Sequence, residues 1–299
     1  MVARLIHRYG VADLAFPGAR DAGLDDVRPG RLALFSLGPR HRDPSARLDE
    51  PAGRALRDAA HLELAAPGAS FRPSASAALE GLLDLGHLCA DGPNGPVGPA
   101  VAEIVHRGGV PVLLGGGLED ACDSLEAAFA GGATASARCV VVSASLACAR
   151  RVCSVAAVGP KLIVGAHDLV PAEDWRLWHR QRGVVITATA FDASDPQGLR
   201  DWLRDAEHVR QPTFVLIDMG SVDLGHAAGS VGDNVGGLDP QAFLRVVEVI
   251  GSEARLAGVA VVQLDPEGDF RGHSERLGAR ALLSLLAMAG PSRSSWARA

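Results

Sequence analysis

Aromatic residues are scarce in this sequence: Phe, Trp and Tyr together make up 4% of 299 residues, with a single tyrosine. An aromatic-rich core is thereby excluded, and the 47% hydrophobic content must pack mostly through Ala, Val and Leu. Lysine is nearly missing. Lys161 is the only one, so the cations are almost all arginine, a bias that a GC-rich genome explains without reference to function. Positive charge is not in excess either. The formal net charge is −6, which argues against broad nucleic-acid binding, because that needs a basic face. The five cysteines (Cys89, Cys122, Cys139, Cys148 and Cys153) include no Cys-x-x-Cys pair. An odd count without that spacing disfavours a disulfide framework or a zinc site and suggests buried reduced thiols. No uncharged apolar run is long enough to span a membrane, and the opening "MVARLIHRYGVADLAF" lacks the apolar core of a secretory signal. These absences lead us to expect a cytoplasmic protein with neither membrane nor nucleic acid as partner.

What is present is an alternation of short apolar runs and helical patterns. The runs are Arg31–Leu37, Val110–Gly115, Arg138–Ala144, Pro160–Ala166, Gly183–Thr189, Thr213–Met219 and Gly258–Leu264. They are mostly uncharged and rich in β-branched residues, as expected of strands buried on both faces. Between them lie candidate helices. Asp239 can cap and Pro240 can open the segment Pro240–Gly258, whose Phe243, Val246, Val247 and Ile250 share one face. The segments after Asp195-Pro196 and from Ser274 to Ala289 behave similarly. This alternation predicts a parallel sheet with helices on both faces, which presents ligands at the carboxyl ends of its strands. The first hundred residues are less regular. "DGPNGPVGP" (Asp91–Pro99) reads as a surface loop within one domain, so a single domain over residues 1–299 is expected, with a frayed tail over 290–299.

The corner "LLGGGLED" leads from a strand into a helix. Backbone N–H groups at such a corner attract anions. A dinucleotide fingerprint, however, needs a further glycine where this sequence has Asp120, and Glu119 and Asp120 would repel phosphate. A stronger signal lies at the end of the run Thr213–Met219. There Asp218 is followed by a Gly-rich loop, the turn Asn234-Val235-Gly236-Gly237-Leu238, and the capped segment at Asp239-Pro240.

This arrangement resembles the arginase/agmatinase/formimidoylglutamase family, the ureohydrolases, and is closest in motif style to formimidoylglutamase. In that family the strand ends in Asp-x-Asp and an Asn-x-Gly-Gly-Leu turn leads into a helix. "GGGLE" stands in the place of Gly-Gly-Gly-His-Glu, "VVVSASLACAR" in that of a strand ending in Asp-Ala-His-x-Asp-x-Arg, and "VVQLDPEGDFRGHSERLGARALLSLL" resembles the closing segment. "EPAGRALRDA" echoes a Gly-Pro-x-x-x-Arg element. The resemblance is clearest over residues 110–289. It implies a three-layer α/β/α fold with a mainly parallel sheet of about eight strands.

The family hydrolyses a guanidino or amidino carbon with a hydroxide shared by two metal ions, usually manganese, held by six protein ligands. By the resemblance, the first ligand position is occupied by Leu118, the next three by Ser143, Ser145 and Ala147, and the last pair by Asp218 and Gly220. Gln263 stands where several members carry a substrate-binding carboxylate, and Glu119 follows the lost histidine. Only Asp218 retains a ligating side chain. Hard divalent ions need carboxylate or imidazole ligands, and metal coordination is what lowers the pKa of the attacking water. The sequence therefore implies a vestigial active-site pocket in a catalytically degenerate protein with a binding, scaffold or regulatory role. No cofactor is expected, and a homo-oligomer or an active relative would be the partner. The alternative is an active hydrolase of a C–N bond in an amidine or guanidine, with an altered manganese site drawing weakly on Asp223, His226 or Asp233. Ser143 and Ser145 lack an assignable base as nucleophiles. Cys148 reads as buried, and His167 as a structural histidine.

Overall fold

The apolar runs fold as strands of one sheet, in a computed structural model that describes residues 6–7, 15–17, 19–37, 50–65, 82–88, 97–130, 137–167, 170–191, 193–207, 209–231 and 235–289. The strands are β1 (Ile6–His7), β2 (Arg20–Asp21), β3 (Leu32–Leu37), β4 (Leu83–Leu88), β5 (Val110–Leu114), β6 (Ala137–Val142), β7 (Val158–Ala166), β8 (Val184–Thr187), β9 (Thr213–Asp218) and β10 (Leu256–Val262). The helices are α1 (Glu50–Ala65), α2 (Val97–His106), α3 (Leu118–Ala130), α4 (Ala149–Ser154), α5 (Ala172–Arg180), α6 (Gln197–Arg204), α7 (Pro240–Glu253) and α8 (His273–Ala289). The sheet runs β1-β4-β3-β5-β10-β9-β6-β7-β8, with β2 beside β4. From β4 to β8 every pairing is parallel; β1 pairs with β4 antiparallel. Eight strands of four residues or more thus form the parallel array, extended by the two-residue β1 and β2.

Alternation along each strand divides the core into two layers. Val112, Leu114, Val215, Ile217, Val259 and Val261 face one side and pack with α1, α6, α7 and α8 through Leu56, Leu199, Phe243 and Leu282. Leu113, Leu216 and Ala260 face the other side, against α2 to α5, through Val101, Leu125, Val152 and Trp178. This is the three-layer α/β/α arrangement expected. Helix α7 shows how the sequence sets its start. The Asp239 carboxylate accepts from the backbone N of Ala242 (2.8 Å) and Pro240 occupies the first turn, where a missing N–H costs nothing. Phe243, Val246, Val247 and Ile250 are all buried.

Four expectations are corrected. Helix α7 stops at Glu253 rather than continuing to Gly258, because Ala254 turns extended and the β-branched run that follows joins the sheet from Leu256. The first hundred residues contain β3, α1, β4 and the start of α2, and Val97–Pro99, read as loop, open that helix. Strand β4 ("LDLGHL") escapes an apolar-run reading because Asp84 and His87 interrupt it, yet the whole strand is buried. At the sheet's edge β8 is not buried on both faces: Val184 is exposed and the other three residues are half-buried. The tail from 290, most of the Asp91–Pro99 connector, Cys89, Asp233 and Asn234 lie outside the described residues. Among the described residues no helix is long and apolar enough to cross a membrane.

Candidate functional site

The carboxyl ends of β5, β10, β9 and β6 lie side by side in the middle of the sheet, the place where parallel α/β sheets present ligands. Asp218 closes β9 and is 4% exposed. Its Oδ2 accepts from the Ser143 hydroxyl (2.7 Å), and its Oδ1 accepts from the backbone N of Gly220 (2.8 Å). Burial pushes the Asp218 carboxyl up to about 6, while the bonds from Ser143 and Gly220 pull it down. Ser143 Oγ in turn accepts from the backbone N of Ser145 (3.2 Å), and Ser145 Oγ from the backbone N of Ala147 (3.3 Å). The structure thus brings Ser143, Ser145, Ala147, Asp218 and Gly220 into one hydrogen-bonded run. Ser143 is fully buried, Ser145 half-buried and Ala147 exposed.

The glycine corner closes β5, with β10 between it and β9. Gly115 and Gly116 have φ of 80° and 84°, the left-handed region that glycine enters without strain. A Cβ on Gly116 would meet Asp120 Oδ2 and Leu37 Cδ1 at 2.8 Å each. The backbone N of Gly117 donates to Asp120 Oδ2 (2.9 Å), one half of a capping box. The donor that a phosphate would use is already engaged by a carboxylate from the first turn of α3. Gln263 follows β10 with φ 66° and ties the corner to the next loop. Its N donates to Gly116 O, and its carbonyl accepts from Val231 N, both at 2.9 Å. Its Oε1 faces Gly117, lying 3.6 Å from where a Cβ there would sit.

The remaining expected members each have their own surroundings. Leu118 opens α3 and packs, half-buried, on the core layer of α2 to α5. Glu119 points outward, 77% exposed, and pairs with Arg151, which also binds Asp123; it belongs to the α3–α4 surface rather than to the pocket. Asp223 is a loop staple. Its Oδ1 accepts from Gly225 N (2.8 Å) and its Oδ2 from Gly236 N (2.6 Å), and the N–H groups of Gly236 and then Gly225 hold its carboxyl below the usual range. The same loop explains the paired glycines. Gly236 has φ 85°, and a Cβ on Gly237 would strike Ser221 O at 2.7 Å and Asp223 N at 2.8 Å. His226 is exposed and lines a groove with α7 and α8, apart from Asp218. His167 is half-buried beside Gly236, its backbone N donating to Ala144 O (2.9 Å). Cys148 is buried, and burial first, then nearby Cys122 and Cys139, pushes its thiol well above the ordinary value. Such a thiol is a poor nucleophile.

Two features escaped sequence reasoning. One is the Ser143–Asp218 bond itself, which follows from β6 and β9 being neighbours. The other is a buried cluster that joins β3, β4 and α1. Arg57, 1% exposed, binds both oxygens of Asp84 (Nε 2.9 Å, NH2 2.8 Å) and donates to Ser36 Oγ (2.9 Å), which lies 2.6 Å from His87 Nδ1. Part of it lies in "EPAGRALRDA", the segment echoing a Gly-Pro-x-x-x-Arg element: Gly53 packs so closely on Ser36 that a Cβ would lie 2.4 Å away. Among the described residues, no three His, Cys, Asp or Glu side chains form a group able to hold a metal ion.

Residues 148–288 match the sequence model of the Arginase family. Formimidoylglutamase from Bacillus subtilis is 36% identical over 73 residues, 24% of this chain and 23% of that protein. Formimidoylglutamase from Halalkalibacterium halodurans is 32% identical over 135 residues, 43% of this chain and 41% of that protein. These matches span less than half of the curated relatives' length. The solved structure of the Bacillus subtilis formimidoylglutamase superimposes with a TM-score of 0.69 at 16% identity, covering 95% of this chain and 96% of that one. Proclavaminate amidino hydrolase from Streptomyces clavuligerus gives 0.72 at 16% identity, covering 93% and 98%. At that identity the superpositions speak to the fold alone.

Proposed function

The chain belongs to the arginase/agmatinase/formimidoylglutamase family, and from that premise we propose that it has left the family's metal chemistry and serves in a binding, scaffold or regulatory role. The donor set supports this reading. A pair of divalent ions needs several carboxylates to balance its charge, and a hydroxide nucleophile at neutral pH needs the metal to lower the water pKa. Asp218's own partners are Ser143 and Gly220, and the hydrogen-bonded run continues from Ser143 to Ser145 and Ala147; none of them brings charge. The observation that carries the reading is that both Asp218 oxygens are already bound from within the protein, by Ser143 and by Gly220. These residues do not fit a two-manganese centre.

The homo-oligomer or active ureohydrolase relative expected from the resemblance remains the proposed partner. The second reading, a C–N hydrolase with an altered manganese site, draws its support from the segments shared with formimidoylglutamases. One experiment separates the two. Elemental analysis of the purified chain, with turnover assays on arginine, agmatine, guanidinobutyrate and formimidoylglutamate with and without manganese, is expected to give a metal-poor, inactive protein. Two tightly bound ions per chain with manganese-dependent release of urea, ammonia or formamide would establish the second reading instead.

A further inference from the structure

The loop that leaves β9, the first turns of α7, the N-terminal half of α8 and Glu63 of α1 line an open groove of about 370 Å³, within the ~300–1,000 Å³ range of small-molecule sites. Leu244, Leu277 and Pro240 supply its apolar lining. The remaining lining is His226, His273, Arg276, Arg280 and a single carboxylate, Glu63. That carboxylate is committed, since Arg276 Nε donates to Glu63 Oε1 at 2.8 Å. Arg280 stands one helical turn beyond Arg276 on the same face. It is exposed and makes no hydrogen bond or ion pair among the described residues. The nearby Asp269 carboxylate is also committed, accepting from the backbone N of Ser274 (3.1 Å) and of Glu275 (2.9 Å) at the start of α8.

The groove therefore concentrates cationic and imidazole groups over leucine in a chain whose net charge is −6. A free guanidinium presents a planar fork of donors that matches a carboxylate or phosphate. Beside the groove, the 64% exposed Phe270 stacks edge-on against His273 (6.0 Å) and carries Arg271 over its ring (5.2 Å), which adds apolar surface to the cationic rim.

We propose that this groove binds a small organic anion, with its carboxylate or phosphate held by Arg280 together with Arg276 and His226, and its carbon skeleton laid on Leu244 and Leu277. The site is separate from the Asp218 pocket, and its occupancy does not depend on whether that pocket is active. The test is calorimetric titration of the full chain with glutarate and with propyl phosphate at constant ionic strength, with glutaramide as the uncharged analogue. Saturable binding of either anion and none of glutaramide is expected; which anion binds tells carboxylate from phosphate. Arg280→Gln should weaken binding roughly tenfold, Arg280→Lys should weaken it less, and the ring signals of His226 and His273 should shift on saturation. Arg280 is exposed, so equal melting temperatures will show that the variants fold. Absence of saturable binding by both anions, or affinity unchanged in Arg280→Gln, overturns the proposal.

Discussion

The hydroxyl of Ser143 donates a 2.7 Å hydrogen bond to Oδ2 of Asp218, joining the ends of neighbouring strands from positions 75 residues apart. A neutral group thus partners the buried carboxylate that closes β9, and its electrostatics follow from that bond.

Asp218 should make the protein less stable as pH rises through the weakly acidic range. Burial lifts its folded-state pKa to about 6 from an ordinary 3.8, so the folded chain holds this proton more tightly than the unfolded one. The stabilisation is complete below the unfolded value and is lost as pH climbs past the folded one. Asp218→Asn keeps a neutral side chain at every pH. Its stability relative to wild type should therefore rise between about pH 4 and pH 7 by on the order of 1–3 kcal/mol. Urea unfolding of both proteins across that range checks this; parallel curves would refute it.

Ser143→Ala removes the donor to Oδ2 and leaves a buried carboxylate oxygen short of a partner. The expected cost at pH 7 is about 1–3 kcal/mol. The titration midpoint of Asp218 should also move further up, because the Ser143 bond is one of the two influences that lower it. Carboxyl carbon shifts followed by NMR would report that midpoint directly.

Arg57→Met should be among the most damaging single changes. It strips a fully buried Asp84 of a two-pronged partner, and breaking one side of such a pair costs about 3–5 kcal/mol. Chemical denaturation of the variant is the measurement, and a loss below about 1 kcal/mol would contradict the burial argument.

Two glycine substitutions should move stability in opposite directions. Gly237→Ala forces a Cβ to within 2.8 Å of backbone atoms of Ser221 and Asp223, whereas a Cβ on Gly198 in α6 meets nothing within 4 Å. Gly237→Ala should destabilise by more than about 1 kcal/mol, and Gly198→Ala should stabilise by up to about 1 kcal/mol. Thermal melts of the pair provide the comparison.

Leu118→His should not restore metal-dependent turnover, since one imidazole added to a site whose ligating carboxylate is Asp218 supplies neither the ligand count nor the charge for two ions. Manganese content after dialysis is the readout alongside activity. Retention of two ions per chain by this single variant would contradict the proposed function.

Much of the fold was legible because apolar runs such as Val110–Leu114 and Thr213–Asp218 are buried on both faces and carry no competing signal. Strand β4 was illegible because Asp84 and His87 read as surface residues until Arg57 and Ser36, from other elements, are placed around them. The end of α7 was missed because nothing in Ser252–Arg255 breaks a helix locally; the pull of the sheet on Leu256–Val262 ends it. At the candidate site, motif spacing led to Asp218, Ser143 and the glycine corner. It did not reveal that Glu119 turns out to Arg151, or that Asp120 caps Gly117, because both depend on side-chain direction in the first turn of α3. His226 lay in the right loop, but that loop delivers it to the groove beside α8.

The position of β10 has a consequence for how the chain is made. It lies between β5 and β9, so among the described strands the earlier set (β1 to β5) and the middle set (β6 to β9) meet in the sheet only through β10, which is encoded after both. Until residues 256–262 leave the ribosome, two half-sheets coexist, each with an open parallel edge of apolar residues that would template the wrong partner. Synthesis halted before β10 leaves two sticky halves of a sheet, and Leu256–Val262 turn them into one.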